Sequence, residues 1–545
     1  MNNTNINQCL LLLSEYFGGN LSKDEQNIVE KEIREITSED IDFSNKHNNE
    51  LSYDDIQSIL GSLNENGSAK KEKGIYYTPL DLVSFIVINS VKSFYRMISP
   101  DNVHVLDTNG VPYEDFCFKN KMFDPTCGTG EFLLYCLNLK FDLLELHKIV
   151  IDQEVISIVL KTIYGNDIDE ESTLISKLRI FLCCIKRYGV KNISGIGKKI
   201  NNQFSNFDYI NHICTKKYNI IIGNPPYVED SKYSGEINVN YGNVYGNVLA
   251  NASKELKGRG VIGFVIPLSY VSTPRMEGLR NDLSKELPEE YIINYCDRPD
   301  CLFSQVHQKL SIIICSNFVK DIVYYTSNYS YWYKEERSSL FLNTKTVEND
   351  FFNNKFISKL GNQNDINIIH KIQMFRSKLY DLISQEKSSN YPIYLNMRAA
   401  FWIKCFTKSH VTSEYKVYFC KNESDANYVF CLLNSSLFWW FWTCISDCWH
   451  ITSKELKLFK TPPYSNTEMI KKLASNLQKR LEKTKVFVGT IQTDYEYKHK
   501  LCRDEISNID DYICSLYGLT NEETVYIKNF KLKYRIGGGP DGQNN

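Results

Sequence analysis

Asn219-Ile-Ile-Ile-Gly-Asn-Pro-Pro-Tyr-Val228 is the stretch from which the rest of the chain is read. Ile220, Ile221 and Ile222 form a short β-branched run closed by Gly223, the pattern of a fully buried strand. Asn224, Pro225, Pro226 and Tyr227 follow at its carboxyl end, where open α/β sheets place their ligands. Two prolines fix the backbone and remove two amide donors, so nearby carbonyls are left to accept from something else. An amide before them and an aromatic ring after them suit a planar ring that carries an exocyclic amine. A strand that merely ends in a Pro-Pro turn would have the same letters. What separates the two readings is a second motif upstream.

That motif is Phe123-Asp-Pro-Thr-Cys-Gly-Thr-Gly-Glu-Phe-Leu133, read as a strand end, a glycine loop and a helix start. Gly128 and Gly130 allow a tight turn and close backbone approach, and Asp124 would accept from a ligand ammonium. The third glycine of a dinucleotide fingerprint is missing, and no Gly-Lys-Ser/Thr follows to make a P-loop. Thr162-Ile-Tyr-Gly-Asn-Asp-Ile-Asp169 reads as the next strand with an acid at its end, the usual partner of ribose hydroxyls. Asp167 lies 37 positions after Gly130 rather than about 20, which predicts one additional helix within Phe141 to Lys161. Asp169 is the alternative ligand, with Asp167 then a turn former. Upstream, Gly74-Ile-Tyr-Tyr-Thr-Pro79 precedes an apolar helix over Leu82 to Tyr95, with Thr78 as N-cap and Pro79 at the first helical position. Downstream, Phe204-Ser-Asn-Phe-Asp208 is the third strand and its loop, Tyr241 to Glu255 a helix, and Gly260 to Pro267, Tyr291 to Cys296 and Leu310 to Cys315 further strands.

In content and order these motifs resemble the amino-methyltransferases that use S-adenosylmethionine (SAM), most of all the gamma-class (Type II) N6-adenine DNA methyltransferases. The resemblance covers about residues 74 to 318. It implies an α/β fold: a Rossmann-like SAM-dependent methyltransferase sheet, a helical N-terminal segment, and a mixed α+β C-terminal target-recognition domain. Asn224, Pro225, Pro226 and Tyr227 would then be catalytic, with Tyr77, Thr78, Asp124, Gly128, Gly130, Asp167 and Asn206 binding SAM and no metal required. Asn206 stands where the family has an acid facing the adenine amine of SAM, and Asp208 is its neighbouring alternative. The Asn224 side-chain oxygen and the Pro225 carbonyl would take the two hydrogens of the target amine. Tyr227 would stack on an adenine extruded from duplex DNA. No Pro-Cys dipeptide exists, which argues against covalent cytosine methylation. The same tetrapeptide occurs in protein glutamine methyltransferases, so protein or RNA methylation and an inactive DNA-binding protein are the competing readings.

Composition bounds the rest. With 63 Lys or Arg against 65 Asp or Glu in 545 residues, no global basic field announces nucleic acid. Between Tyr391 and Lys500, however, 16 basic residues face 9 acidic ones, which suits phosphate contacts. The 17 cysteines are scattered without a CxxC pair, and no apolar run reaches the roughly 20 residues of a bilayer span. These features predict reduced thiols, a cytoplasmic location and no membrane partner. Five regions are expected: a helical segment and linker over 1–73, a catalytic domain over 74–320, a target-recognition domain over 321–500, closing helices over 501–536 and a disordered tail over 537–545. Strands are expected over Asn390 to Leu395, Arg398 to Lys404 and Tyr415 to Phe419, and an aromatic helix over Leu433 to Trp442. With no nuclease motif before Gly74 and a specificity region in the same chain, modification without cleavage and without an obligatory specificity subunit is expected. A separate restriction endonuclease would be a partner only at the level of the system.

Overall fold

Nine runs rich in β-branched and aromatic residues assemble into one sheet. They are β1 (Met122–Asp124), β2 (Ile163–Asn166), β3 (Phe204–Ser205), β4 (Tyr218–Gly223), β5 (Leu256–Pro267), β6 (Glu289–Tyr295), β7 (Leu310–Ser316), β8 (Val323–Ser330) and β9 (Val347–Asn349). Their order is β3-β2-β1-β4-β5-β7-β6-β8-β9. The pairs from β3 to β5 are parallel, β7 inserts antiparallel between β5 and β6, and β8 runs parallel to β6. Parallel strands need crossovers and both faces covered. Ile220, Ile221 and Ile222 are accordingly fully buried, as the unbroken apolar run requires. The computed structural model describes residues 4–17, 21–43, 51–63, 78–211, 216–237, 239–304, 306–387, 389–408, 414–490 and 495–537. The fold is α/β, a Rossmann-like sheet with helices on both faces, preceded by helices and followed by a mixed α+β lobe.

The extra helix predicted between β1 and β2 is present as Gln153–Leu160, after the longer helix Glu131–Leu146. Residues 101–121, read as loop, include the short helix Tyr113–Phe118. The expected linker lies outside the described residues, and so does the expected tail beyond Gly537. The N-terminal helices pack onto the lobe that carries the large sheet, at helix Glu170–Tyr188. Gln57, on helix Tyr53–Ser62, donates to the Arg179 carbonyl at 3.1 Å and accepts from the Arg179 Nε at 3.0 Å. The predicted boundary at 320 also moves, because β8 and β9 complete the same sheet.

In the C-terminal lobe a four-stranded sheet forms from Tyr391–Asn396, Tyr415–Cys420 and two short strands, Ile383–Ser384 and Cys405–Phe406. Arg398 to Lys404, predicted as a strand, is instead a series of bends. The segment is held in part by side chains: the Ala400 carbonyl accepts from Trp439 Nε1 at 2.9 Å, and Trp402 Nε1 donates to the Arg535 carbonyl at 3.1 Å. The aromatic helix is Ser436–Ile445, and Leu433 belongs to the preceding helix Glu423–Asn434. Ser435 leaves the helical region between them and caps the second through its hydroxyl, 3.1 Å from the Phe438 amide. The pair bends by 62°. Among the described residues no single helix is long and apolar enough to cross a membrane, and the rings of this bent pair are buried core. Sixteen of the cysteines are described, all buried and none in a disulfide.

Asp365 holds this lobe to the sheet. Its two oxygens accept from Trp440 Nε1 at 2.9 Å, Tyr526 OH at 2.6 Å, the Gly361 amide at 2.8 Å and Asn328 Nδ2 at 2.7 Å. Those donors come from the aromatic helix, the closing helix Asn521–Asn529, the 361 turn and β8. A buried carboxylate filled by four donors stabilises through charge-assisted hydrogen bonds. Asp365→Asn places a donor against donors, so we expect urea unfolding to show a loss of about 2–4 kcal/mol. A change below about 0.5 kcal/mol would remove Asp365 from this role.

Candidate active site

Parallel pairing brings three motifs to one edge. Met122 of β1 pairs with Ile163 of β2 on one side and Ile220 of β4 on the other. The three strands therefore end together, delivering Asp124, Asp167 and Asn224 to a common cavity of about 360 Å³. That volume is in the range of small-molecule sites. Thr78, Asp124, Gly128, Asp167, Asn224 and Pro226 all line it.

The glycine loop is shaped by its backbone. Gly130 sits at φ +90° as the N-cap of helix Glu131–Leu146, and a Cβ there would lie 2.2 Å from Ser176 Oγ. Gly223 serves close approach, since a Cβ would stand 2.6 Å from Asp124 Oδ1. The Gly128 amide donates to Asp167 Oδ2 at 2.8 Å, tying the loop to the end of β2. Asp167 Oδ1 accepts from the Asp169 amide at 2.9 Å. Asp169 itself is the N-cap of helix Glu170–Tyr188, accepting from the Ser172 amide at 3.1 Å. Of the two acids weighed for the ribose, Asp167 reaches the cavity and Asp169 is occupied as a cap.

Burial dominates the electrostatics. Asp124 accepts from the Thr126 amide at 3.0 Å, yet desolvation raises its pKa well above the carboxylate range, with Asp167 adding repulsion. Desolvation likewise raises Asp167 to about 6, against the two amides it accepts from. The buried Thr126 hydroxyl has no hydrogen-bond partner. Two desolvated carboxylates and an unsatisfied hydroxyl around one cavity fit a ligand that brings positive charge and hydroxyl or amine hydrogens.

Asn224 lies at the opposite wall. Its Nδ2 donates to Thr78 Oγ1 at 3.3 Å, and its Oδ1 accepts from Tyr227 OH at 2.6 Å. Tyr227 OH also lies 2.9 Å from the Val265 carbonyl, so one proton faces two acceptors. No donor among the described residues occupies the Pro225 carbonyl.

Several expectations are corrected here. Thr78 is not the N-cap, because Pro79 takes that place and helix Leu80–Phe94 begins after it without a side-chain cap bond. The Thr78 hydroxyl instead holds the Asn224 amide. Tyr227 does not present its ring to the cavity, since its hydroxyl is drawn inward to Asn224 and Val265. Asn206 is turned away, with its amide donating to the Asp167 carbonyl at 3.2 Å and to Thr173. Phe207 and Asp208 take the wall in its place. Tyr77 lies outside the described residues. The sequence reading did not find Gly61, Lys232 or Tyr233, which also line the cavity. Gly61 arrives from the N-terminal helices, where its carbonyl accepts from Thr129 Oγ1 at 3.1 Å. Tyr233 closes over from the loop after the Asn-Pro-Pro-Tyr motif and donates to Asp208.

Residues 161–301 match the Eco57I restriction-modification methylase family. That span runs from β2 through β6 and contains Asn224 to Tyr227. A Methanocaldococcus jannaschii protein, provisionally named a type II restriction enzyme and methyltransferase, is 27% identical over 171 residues. The match takes in 25% of this chain and 14% of that protein. Among solved structures, the Type IIL restriction-modification enzyme MmeI in complex with DNA superposes with a TM-score of 0.53 at 13% identity. It covers 96% of this chain and 92% of that one, so the two share a fold across both lobes. The Type ISP enzyme LlaGI, a nuclease-deletion mutant with a DNA substrate mimic, gives a TM-score of 0.49 at 12% identity, covering 90% of this chain and 58% of that one.

Gly130 offers a direct test of the loop geometry. Gly130→Ala should lower the melting temperature by several degrees, because both the positive φ and Ser176 oppose it. Adding Ser176→Gly should recover only part of the loss, since it removes the clash and leaves the backbone strain. Full recovery would show that φ at this position is not a constraint.

Proposed function

We propose that this chain transfers a methyl group from SAM to the N6 amine of adenine in duplex DNA. The observation that carries the reading is the meeting of Asn224 with Asp124, Gly128 and Asp167 around one cavity. The match to restriction-modification methylases supports a DNA substrate, because the matched span contains both β2 and the Asn-Pro-Pro-Tyr motif. When bound, SAM supplies an activated methyl group on a sulfonium. Asp167 would accept ribose hydroxyls and Asp124 a ligand ammonium, while Phe207 and Asp208 flank the cofactor's base. These carboxylates suit a cationic cofactor because the backbone amides they accept from only partly offset their burial.

The target amine is a poor nucleophile, its lone pair delocalised into the ring. Accepting its two hydrogens at Asn224 Oδ1 and the Pro225 carbonyl favours a more tetrahedral nitrogen as the methyl is transferred. Positioning and electrostatics suffice for that step. Reaching it inside a duplex requires extrusion of the base. Tyr227 OH is hydrogen-bonded to Asn224 Oδ1, so the substrate amine must compete for that oxygen, and Val265 offers the hydroxyl a second acceptor. Moving to Val265 would free Asn224 without leaving the phenol unsatisfied. These residues modify without cutting, and nuclease activity named for the relatives is theirs.

Tritium transfer from labelled SAM, with nucleoside analysis of the DNA, tests the reaction. N6-methyladenine is expected, and methyl found only on cytosine, protein or RNA would overturn it. Asn224→Ala should reduce turnover at least about 100-fold while leaving SAM affinity within about threefold. An unchanged turnover would take Asn224 out of the chemistry.

A pH dependence follows from Asp167. Its folded pKa of about 6 lies above the ordinary carboxylate value. The stability it contributes is therefore present at low pH and lost as pH rises from the unfolded value through about 6. A cationic ligand offsets that loss by favouring the ionised form. The rise in melting temperature on adding SAM should thus be larger at about pH 7.5 than at about pH 5.5. In Asp167→Asn this difference should shrink, and an equal difference in both proteins would exclude Asp167 as its source.

A further inference from the structure

A second concavity, of about 550 Å³, opens in the C-terminal lobe. Arg398, Lys404, Lys498, Lys500 and Arg535 line it, against two carboxylates, Glu414 and Glu496. Each carboxylate is already paired, Glu414 with Arg398 at 3.2 Å and Glu496 with Lys498. Lys404 and Lys500 form no ion pair among the described residues. Arg535 is walled in, its guanidinium 4.0 Å from the Trp402 ring and 4.3 Å from the Trp439 ring. The pocket is thus a cationic surface with aromatic walls, including Trp402, Trp449 and Tyr534.

Its place relative to Asn224 follows from the sheet. β6 runs in the same direction as β4 and β5, because both β5 and β6 pair antiparallel with β7. The end of β6 and the start of β7 therefore lie on the edge that carries Asn224. Trp449 stands on that edge, with Lys309 Nζ 4.8 Å and the Arg298 guanidinium 5.7 Å from its ring. It also belongs to the pocket wall, and the Ala399 amide donates to its carbonyl at 3.0 Å. Trp449 thus joins Arg298 and Lys309 at the sheet edge to the pocket. From β4 to β6 is three strand spacings, about 14 Å. At roughly 3.4 Å per nucleotide, the β6 end of this edge is about four positions along a DNA strand from the β4 end.

We infer that this pocket, with Lys404 and Lys500 as its unpaired cations, holds backbone phosphates of the DNA that flanks the target adenine. The inference rests on the DNA reading of the active site and adds to it the surface that positions the duplex. Phosphate contacts fix register without reading sequence, so a duplex of arbitrary sequence suffices as probe.

The test is the salt dependence of binding of the full chain to a fluorescent 30-base-pair duplex. Lys404→Ala with Lys500→Ala should weaken binding at low salt at least tenfold and flatten the slope of log Kd against log salt by about 2. Lys404→Arg with Lys500→Arg should restore both. SAM affinity and melting temperature should not change. Lys23→Ala with Lys31→Ala, which removes two exposed charges from the N-terminal helices, should leave the slope as it was. DNA binding and methyl transfer by the unsubstituted chain, with a slope that the pocket variant does not alter, would overturn the pocket alone. An equal loss in the N-terminal variant would do the same. An unsubstituted chain that binds SAM but neither binds nor methylates DNA would overturn the DNA reading and this inference together.

Discussion

Strand β1 is only three residues long, yet it is hydrogen-bonded on both sides, to β2 and β4, with Met122 in register with Ile163 and Ile220. The candidate site depends on that double pairing. Parallel strands that start in register finish in register, so the residues that follow them emerge at one edge. Asp124, the turn bearing Asp167 and Asn224 converge for this reason and no other. The buried isoleucines of β4 anchor the strand in the core on both faces of the sheet.

The edge so formed is electrostatically unfinished. Asp124 and Asp167 are withdrawn from water, which raises both pKa values, Asp167 adds repulsion at Asp124, and the hydrogen bonds that answer them come from backbone amides. Asn224 and Tyr227 are, by contrast, satisfied by one another, with Thr78 completing the set. One wall would therefore gain from a cationic, hydroxyl-bearing ligand, whereas the other already has its polar atoms paired. Thr78 holds Nδ2 and Tyr227 holds Oδ1, which fixes the orientation of the Asn224 amide.

Around this edge the chain is braced by a few buried polar hubs. Arg179 ties the N-terminal helices to the glycine loop through Gln57, the Thr129 carbonyl and Glu131. Asp365 ties the aromatic helix and a closing helix to β8. Lys454 reaches from the C-terminal lobe to the Ser272 carbonyl of the catalytic lobe at 2.8 Å. Each hub is surrounded by donors or acceptors of the right kind, which is the condition for burying charge without destabilising the fold. The cavity and the cationic pocket thereby belong to one body, with Trp449 between them.

Much of this architecture is legible in one sequence. The isoleucine run closed by Gly223, the glycine loop and the acid after Gly165 are local patterns, and local patterns report strands, turns and the helix that must fill the space between them. Asp167 and Asn224 could be named because each follows directly on a buried strand. What sequence could not supply is the direction in which side chains turn when several partners compete. Thr78 looked like a helix cap, but with Pro79 at the cap its hydroxyl goes to Asn224, a residue 146 positions away. Asn206 stood at the expected alignment position, yet Thr173 and the Asp167 carbonyl draw it away and leave Phe207 and Asp208 on the wall. Gly61 joined the cavity through a helix that gave no motif at all, and the cations of the second pocket come from segments nearly 140 residues apart. Periodicity and turn chemistry act between neighbours in the chain, so the sequence by itself determined the sheet and the motifs at its edge. Hydrogen-bond competition and charge proximity act between neighbours in space, and only the tertiary structure decided those.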